Sequence, residues 1–202
     1  MTQSERRLFL IRSLLAENPG YRDLPVPESV EEQKRLLRSL VNVRPPLPAS
    51  RDFLQVQDEY LQEEGRARGL TAIADLEPVA SSADGPMDLY LWRGDITSLQ
   101  VGAIVNAANS GMTGCYQPLH GCIDNIIHSK AGIQLRLKCD GIMRAQGHEE
   151  PTGQAKITPA YNLPCKYILH TVGPVVQGRL TKEHVRLLAS CYTSCLNLAA
   201  EN

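Results

Sequence analysis

Charge of one sign is missing from this sequence: 21 lysines and arginines stand against 22 aspartates and glutamates in 202 residues, a net charge of −1. The pI is about 6.5. That balance leaves no basic footprint for nucleic acid and no polybasic patch for a membrane surface. Long apolar runs are missing too. No segment approaches the ~18 consecutive apolar residues of a membrane-spanning helix. A secretory leader is not evident: the apolar run at residues 8–11 is broken by Arg12, and no small-residue cleavage site follows. An amphipathic helix is the better reading of that segment, and a cytoplasmic protein is the expectation. Internal repeats and low-complexity tracts are also absent. Six cysteines without a secretory signal do not make a disulfide framework. Cys139, Cys165, Cys191 and Cys195 fall on apolar faces or beside strands and read as buried small hydrophobes.

What is present divides at about residue 69. Residues 1–69 read as a helical extension. A first helix runs from about Ser4 to Glu17 and stops at ENPG. A second follows Ser29, which has Glu32 at capping-box spacing and Leu36, Leu37, Leu40 and Val41 as an apolar face. The prolines of VRPPLPAS force a turn. Ser50 then caps a third helix carrying Phe53, Leu54, Gln57, Tyr60 and Leu61 at helical spacing.

Residues 70–202 carry a different pattern. Strands are expected at 71–79 and at 87–93, with SSADGP as the turn between them. The near-continuous apolar run at 100–108 predicts a strand buried on both faces. A helix is expected over about 123–143, bent near Gly132, followed by strands at 155–161 and 166–172. A final helix over 181–202 presents Val185, Leu188, Ala189, Tyr192, Leu196 and Ala199 on one face. Strands separated by helices predict a three-layer α/β domain with a substantially parallel sheet. The last helix has no glycine or proline stop and no strand after it, so the chain reads as stopping early.

Three segments carry chemistry. In WRGDIT, Gly94 allows a sharp turn and Asp95 stands where a strand is expected to end, the place α/β sheets hold ligands. Asp95 there can accept hydrogen bonds from a purine amino group, or simply cap the next turn. In IVNAANSGMTGC, Asn106 and Asn109 leave the strand separated by two alanines. Their donors and acceptors suit sugar hydroxyls, and the glycines allow close backbone approach. In GCYQPLHGCIDNIIH, Cys115, His120 and Cys122 lie within eight positions. They are either soft metal ligands or small residues fitted to a tight turn. Three ligands without a paired C-x2-C leave a coordination position open, whereas a structural zinc normally takes four. Asp124 starts the following helix, where an acidic side chain is favoured by the helix dipole, and His128 lies four residues on, on the same face. Asp124 is also the one general-base candidate near this loop. His170 ends a strand and reads as a packing residue; His148 and His184 read as exposed.

Taken in order, GDIT, IVNAAN, TGQAKITPAYNLP and YILHTVGP resemble the macrodomain family, modules that bind ADP-ribose, from about residue 87 to the end. Cys115-x4-His120-x-Cys122 stands where ordinary macrodomains have a glycine-rich stretch, and the segment LVNVRPPLPASRDFLQVQDEYLQ is similar to a helical N-terminal extension. Both features resemble the zinc-containing branch of the family, protein-ADP-ribose hydrolases that often accompany a sirtuin-type ADP-ribosyltransferase. The resemblance implies a macrodomain-like three-layer α/β/α sandwich (residues 70–202) behind the extension. It implies a Zn2+ held by Cys115, His120 and Cys122. It also implies an ADP-ribose site formed by Asp95 and Ile96 at the adenine end and by Asn106, Asn109 and Cys122 near the distal ribose, with Asn109 and Asp124 as catalytic residues. The expected substrate is an ADP-ribosylated protein modified on an acidic side chain, with neither nucleic acid nor membrane as partner.

One departure from the family pattern keeps a second reading open. Macrodomains hold the diphosphate and distal ribose between two loops, and the second loop and last strands normally follow the helix at 181–201; this sequence ends at Asn202. A non-catalytic ADP-ribose-binding module, or an inactive fragment, is the alternative expectation.

Overall fold

The computed structural model describes residues 1–82, 85 and 87–202. Three helices come first, each begun by a hydroxyl side chain. In α1 (Gln3–Glu17) Thr2 accepts from the Glu5 N–H at 3.2 Å while the Glu5 carboxylate accepts from the Thr2 N–H at 2.7 Å, a reciprocal cap. In α2 (Val30–Val43) Ser29 caps the Glu32 N–H, but the Glu32 carboxylate takes the Ser29 hydroxyl and not its backbone, so only half of the expected box forms. In α3 (Arg51–Arg68) Ser50 caps Phe53, and Gly69, at φ 89°, ends the helix. Leu10, Ile11, Leu14, Leu15, Leu37, Leu40, Phe53 and Tyr60 bury together, and Ile133 from further along the chain joins them. The extension therefore packs onto the rest of the fold through an apolar contact.

Two short pairings follow. β1 (Thr71–Ala72) runs parallel to β4 (Leu99–Gln100), and β2 (Pro78–Ser81) antiparallel to β3 (Asp88–Tyr90). The strand expected over 71–79 is thus divided by a 3-10 turn, Ile73–Asp75, because the Asp75 carboxylate binds back to the Ala72 N–H at 3.2 Å. The strand expected over 87–93 ends at Tyr90. The turn expected in SSADGP falls in part on residues 83, 84 and 86, outside the described residues.

The main sheet has the order β5 (Ala103–Ala108), β7 (Tyr167–Val172), β6 (Ala155–Pro159). β5 and β7 are parallel and β6 is antiparallel to β7, so the sheet is mixed where a largely parallel one was expected. The reason is local: residues 160–166 connect β6 to β7 without a crossover helix, and a short connection makes an antiparallel pair. Among the described residues β5 lies at one end of this sheet. Ile104, Asn106 and Ala108 point inward, while Val105 is 44 % exposed. Burial on both faces belongs to the central strand β7 instead, where residues 168–172 are all buried.

Helices cover both faces. On one, α4 (Ile123–Ala131) and α5 (Ile133–Gln146) pack Ile127, Ala131, Leu135 and Cys139 against Ile104 and Ile168. The two are separate helices because Gly132 adopts φ 102° and a Cβ there would meet Gln57 Nε2 at 2.7 Å; Gln57 Oε1 instead caps the Ile133 N–H at 3.0 Å. On the other face lies α6 (Lys182–Glu201). The apolar face expected for it forms, and its Val185, Leu188, Tyr192 and Leu196 are 50–68 % exposed. The helix turns a small-residue stripe inward, with Cys191 and Cys195 buried and Ser190 and Ser194 donating to the Gly153 carbonyl at 3.0 and 2.8 Å. Small side chains let the helix backbone approach the sheet closely. Among the described residues no helix is long and apolar enough to cross a membrane.

Candidate active site

The end of β5 delivers Asn106 and Asn109, and the start of α4 delivers Cys122, Asp124 and Asn125. The loop between these elements carries Cys115 and His120. The three soft ligands converge: Cys115 Sγ lies 3.6 Å from His120 Nδ1, and the ligand atoms of Cys115, His120 and Cys122 all fall within 4.8 Å of one another. Cys122 N-caps α4, its sulfur accepting from the Asn125 N–H at 3.4 Å. Burial, together with the neighbouring Cys115 thiol, pushes the Cys122 thiol up. A divalent cation bound at this sulfur would reverse that shift. The donor set therefore fits Zn2+: two sulfurs, one imidazole nitrogen and no fourth protein ligand among the described residues of the group.

The asparagines hang on Asp124. Asn106, fully buried, donates to Asp124 Oδ1 at 2.8 Å and to His170 Nδ1 at 3.1 Å. Asn109 donates to Asp124 Oδ2 at 3.2 Å and to the Gly114 carbonyl at 3.1 Å. Asp124 is 4 % exposed, and burial raises its pKa against the hydrogen bond from Asn106. His128 Nε2 lies 3.5 Å from Asp124 Oδ1, and the buried His128 ring has no closer polar partner among the described residues. Because Asn106 donates to His170 Nδ1, the other ring nitrogen carries the proton and donates to Thr158 Oγ1 at 2.9 Å. Burial pushes His170 down to about 4. Cys139, beside the two histidines, is pushed up to about 12 by burial. Burial thus keeps His128, His170 and Cys139 neutral around the Asp124 carboxyl.

Asp95 lies five residues past the end of β3, not at it, and caps the 3-10 turn Ile96–Ser98 by accepting from the Thr97 N–H at 3.0 Å. It also pairs with Lys130 of α4. Burial works to raise the Asp95 pKa, but the hydrogen bonds from Lys130 and Thr97 outweigh it and bring it to about 2. Asp95 and Ile96 line a cleft with Arg38, Ile123, Ile126 and Lys130. One helix thus serves both halves of the site: Ile123 and Ile126 face the Asp95 cleft, while Cys122 and Asp124 face the soft ligands and the asparagines.

Sequence reasoning missed the residues that hold the loop. Met112 and Leu119 take φ of 61° and 58°, which costs about 1–3 kcal/mol at each non-glycine position. The Leu119 N–H is held by Asn42 Oδ1 at 3.0 Å. Arg38 donates to the His120 carbonyl at 2.6 Å and to Asn125 Oδ1 at 2.7 Å. Arg136 donates to the Thr113 carbonyl at 2.8 Å and stacks over Tyr116 at 4.2 Å. Arg38 and Asn42 sit on a helix more than 70 residues upstream of the loop, and nothing in their sequence context marks them.

The Macro domain family profile matches residues 105–202. Over all 202 residues the chain is 65% identical to the Protein-ADP-ribose hydrolase of Treponema medium, spanning 77% of its length. The chain belongs to the macrodomain family. Solved macrodomains agree in fold. The Trypanosoma brucei macrodomain in complex with ADP-ribose superposes with a TM-score of 0.52 at 32% identity, covering 86% of this chain and 69% of that one. The Oceanobacillus iheyensis macrodomain with ADP superposes with a TM-score of 0.50 at 35% identity, covering 59% of this macrodomain and 60% of its own chain.

Proposed function

We propose that this macrodomain is a zinc-dependent protein-ADP-ribose hydrolase that releases ADP-ribose from an acidic side chain of a modified protein. The observation that carries it is the meeting of Cys115, His120 and Cys122 beside the Asn109–Asp124 pair. The name of the Treponema relative and the ADP-ribose complex of the trypanosome macrodomain support the substrate class. A sirtuin-type ADP-ribosyltransferase is the functional partner that would supply the modified protein, on the strength of the sequence resemblance.

Zinc held by the three ligands would supply Lewis acidity toward the distal ribose, moderated because two thiolates roughly neutralise its charge. The protein does the rest by orientation. Asp95 uses Oδ1 for both the N–H and the hydroxyl of Thr97 and Oδ2 for Lys130, so Oδ2 keeps a lone pair for the adenine amino group. Ile96 gives the base an apolar wall. Asn106 fixes Asp124, and Asp124 in turn fixes the amide of Asn109, which meets the ribose hydroxyls. With both oxygens taken by amides, Asp124 acts as a positioning acceptor more readily than as a base.

Buried Asp124 also motivates a second reading, a module that binds ADP-ribose without turning it over. The test is Cys122→Ala in the protein, with ADP-ribose release measured on proteins modified at glutamate and at arginine. Loss of zinc with at least a roughly hundredfold fall in turnover on the glutamate-linked substrate is expected. Undiminished turnover without zinc overturns the proposal, and binding of free ADP-ribose with no turnover in the parent protein favours the second reading.

A further inference from the structure

Two side chains of α2 bracket the histidine of the soft-ligand loop. Asn42 Oδ1 takes the N–H of Leu119, the residue before His120, at 3.0 Å. Arg38 Nη2 gives to the carbonyl of His120 itself at 2.6 Å. The same guanidinium nitrogen reaches Asn125 Oδ1 at 2.7 Å, and the Asn125 amide donates to the carbonyls of Cys115 and Gln117 at 3.3 and 2.9 Å. The Asn125 backbone N–H donates to Cys122 Sγ. Each of the three ligands is therefore reached from α2, directly or through Asn125.

The helix that does this is itself fixed. Leu37 and Leu40 bury in the core of the extension. Arg136 of α5, 5 % exposed, donates to the carbonyls of Val41, Asn42 and Arg44 at 3.0, 2.9 and 2.6 Å, and by its Nε to Thr113 at the start of the loop. Asn42 is 1 % exposed, and its amide also donates to Ser129 Oγ of α4 at 2.8 Å. Loop, α2, α4 and α5 are thus joined by directional polar bonds that run from the buried Arg136 contacts with Asn42 and Arg44 out to the exposed Arg38–His120 bond. The loop needs such a frame, because Leu119 holds a left-handed backbone that it would otherwise leave.

We infer that Arg38 and Asn42 are positioning residues for Cys115, His120 and Cys122, which makes the N-terminal helical extension a working part of the metal site. The inference rests on the zinc-binding reading above. Arg38 also lines the cleft of Asp95 and Ile96, so one side chain touches both halves of the site.

The variants are Asn42→Leu, Asn42→Asp and Arg38→Met, in the protein with its extension. Zinc affinity is measured by competition with a chromogenic chelator, and hydrogen exchange of the Leu119 amide is followed by NMR in metal-free protein, with helical content checked by circular dichroism. Asn42→Leu and Arg38→Met should weaken zinc about 10–100-fold, the range for residues that orient metal ligands, and Asn42→Leu should speed Leu119 exchange. Asn42→Asp gives up the donor to Ser129 but keeps the acceptor for Leu119, and should exchange that amide more slowly than Asn42→Leu does. Zinc affinity within about twofold of the parent in all three folded variants, with unchanged exchange, overturns the inference. Should Asn42→Leu fail to fold, Arg38→Met, at a half-buried position, decides the matter. Should the parent bind no zinc, the zinc reading falls by itself, and exchange in the metal-free variants still decides whether α2 holds the loop.

Discussion

The side-chain amide of Asn106 donates to Asp124 Oδ1 at 2.8 Å, and both residues are buried. The bond joins the sheet to α4 and holds a carboxylate that burial already makes costly to ionise. Asn106→Leu removes the donor but leaves the acceptor buried. The expected loss is about 3 kcal/mol in urea unfolding, since stranding a buried charged acceptor costs more than an average hydrogen bond contributes. ADP-ribose release should fall with it, because Asn109 then leans on a carboxylate free to turn. A loss below about 1 kcal/mol would mean that water replaces the amide at no cost.

Stability should depend on pH through His170. Burial lowers its pKa from 6.5 to about 4 in the folded protein. Between those values the unfolded chain binds a proton that the folded chain does not. Stability from keeping His170 neutral is therefore fully present above pH 6.5 and is lost as pH falls toward 4. The gap corresponds to about 3 kcal/mol at about 1.36 kcal/mol per pH unit. His128, also pushed down by burial, adds in the same direction. Asp124, raised by burial, opposes it over the window that runs from its ordinary value of 3.8 up to its higher folded value. Urea midpoints measured from pH 7.5 to 4.5 should fall steadily in the parent, and by clearly less in His170→Gln.

Much of this was legible from the chain. The helices of the extension, the Ser29 and Ser50 caps, the soft ligands and the paired asparagines all carry local signals, namely spacing, capping chemistry and residue type. What was not legible depended on packing partners. Val105 reads as core because it is apolar, yet α6 packs over β6 and β7 and leaves Val105 44 % exposed. The sequence shows an apolar face on α6 but not that Ser190, Cys191, Ser194 and Cys195 are what fit against Gly153 and β7. Arg38, Asn42 and Lys130 sit on helical surfaces in the sequence, and only the tertiary fold brings them to the loop and to Asp95.

Gly114 offers a test of how tightly the soft-ligand loop is fitted. It has φ 87°, and a Cβ built there would lie 2.8 Å from His128 Cγ. Gly114→Ala combines left-handed strain with a clash against a buried ring, about 3 kcal/mol together. In a thermal melt this should lower Tm by about 6–12 °C and weaken zinc, because Cys115 is the next residue. Gly121→Ala is the control. Its Cβ meets nothing within 4 Å and its backbone is not left-handed, so Tm should move by less than about 2 °C although the site lies between two ligands.

Asp95 separates recognition from stability. Its carboxylate is held near a pKa of about 2 by Lys130 and Thr97 against the opposing effect of burial, so it is ionised throughout the neutral range. If it receives the adenine amino group, Asp95→Ala should weaken ADP-ribose and AMP alike by about 10–100-fold, the value of a hydrogen bond to a charged group. Ribose 5-phosphate, which lacks the base, should bind the two proteins equally. Lys130→Met leaves the carboxylate ionised and removes only a partly exposed ion pair, with Lys130 at 23% and Asp95 at 42% side-chain exposure. Such pairs contribute at most about 1 kcal/mol, so nucleotide affinity should stay within about fivefold and Tm should shift little. Isothermal titration of the three ligands into the parent and both variants decides it. An Asp95→Ala protein that binds AMP as tightly as the parent would reduce Asp95 to the cap of its own turn.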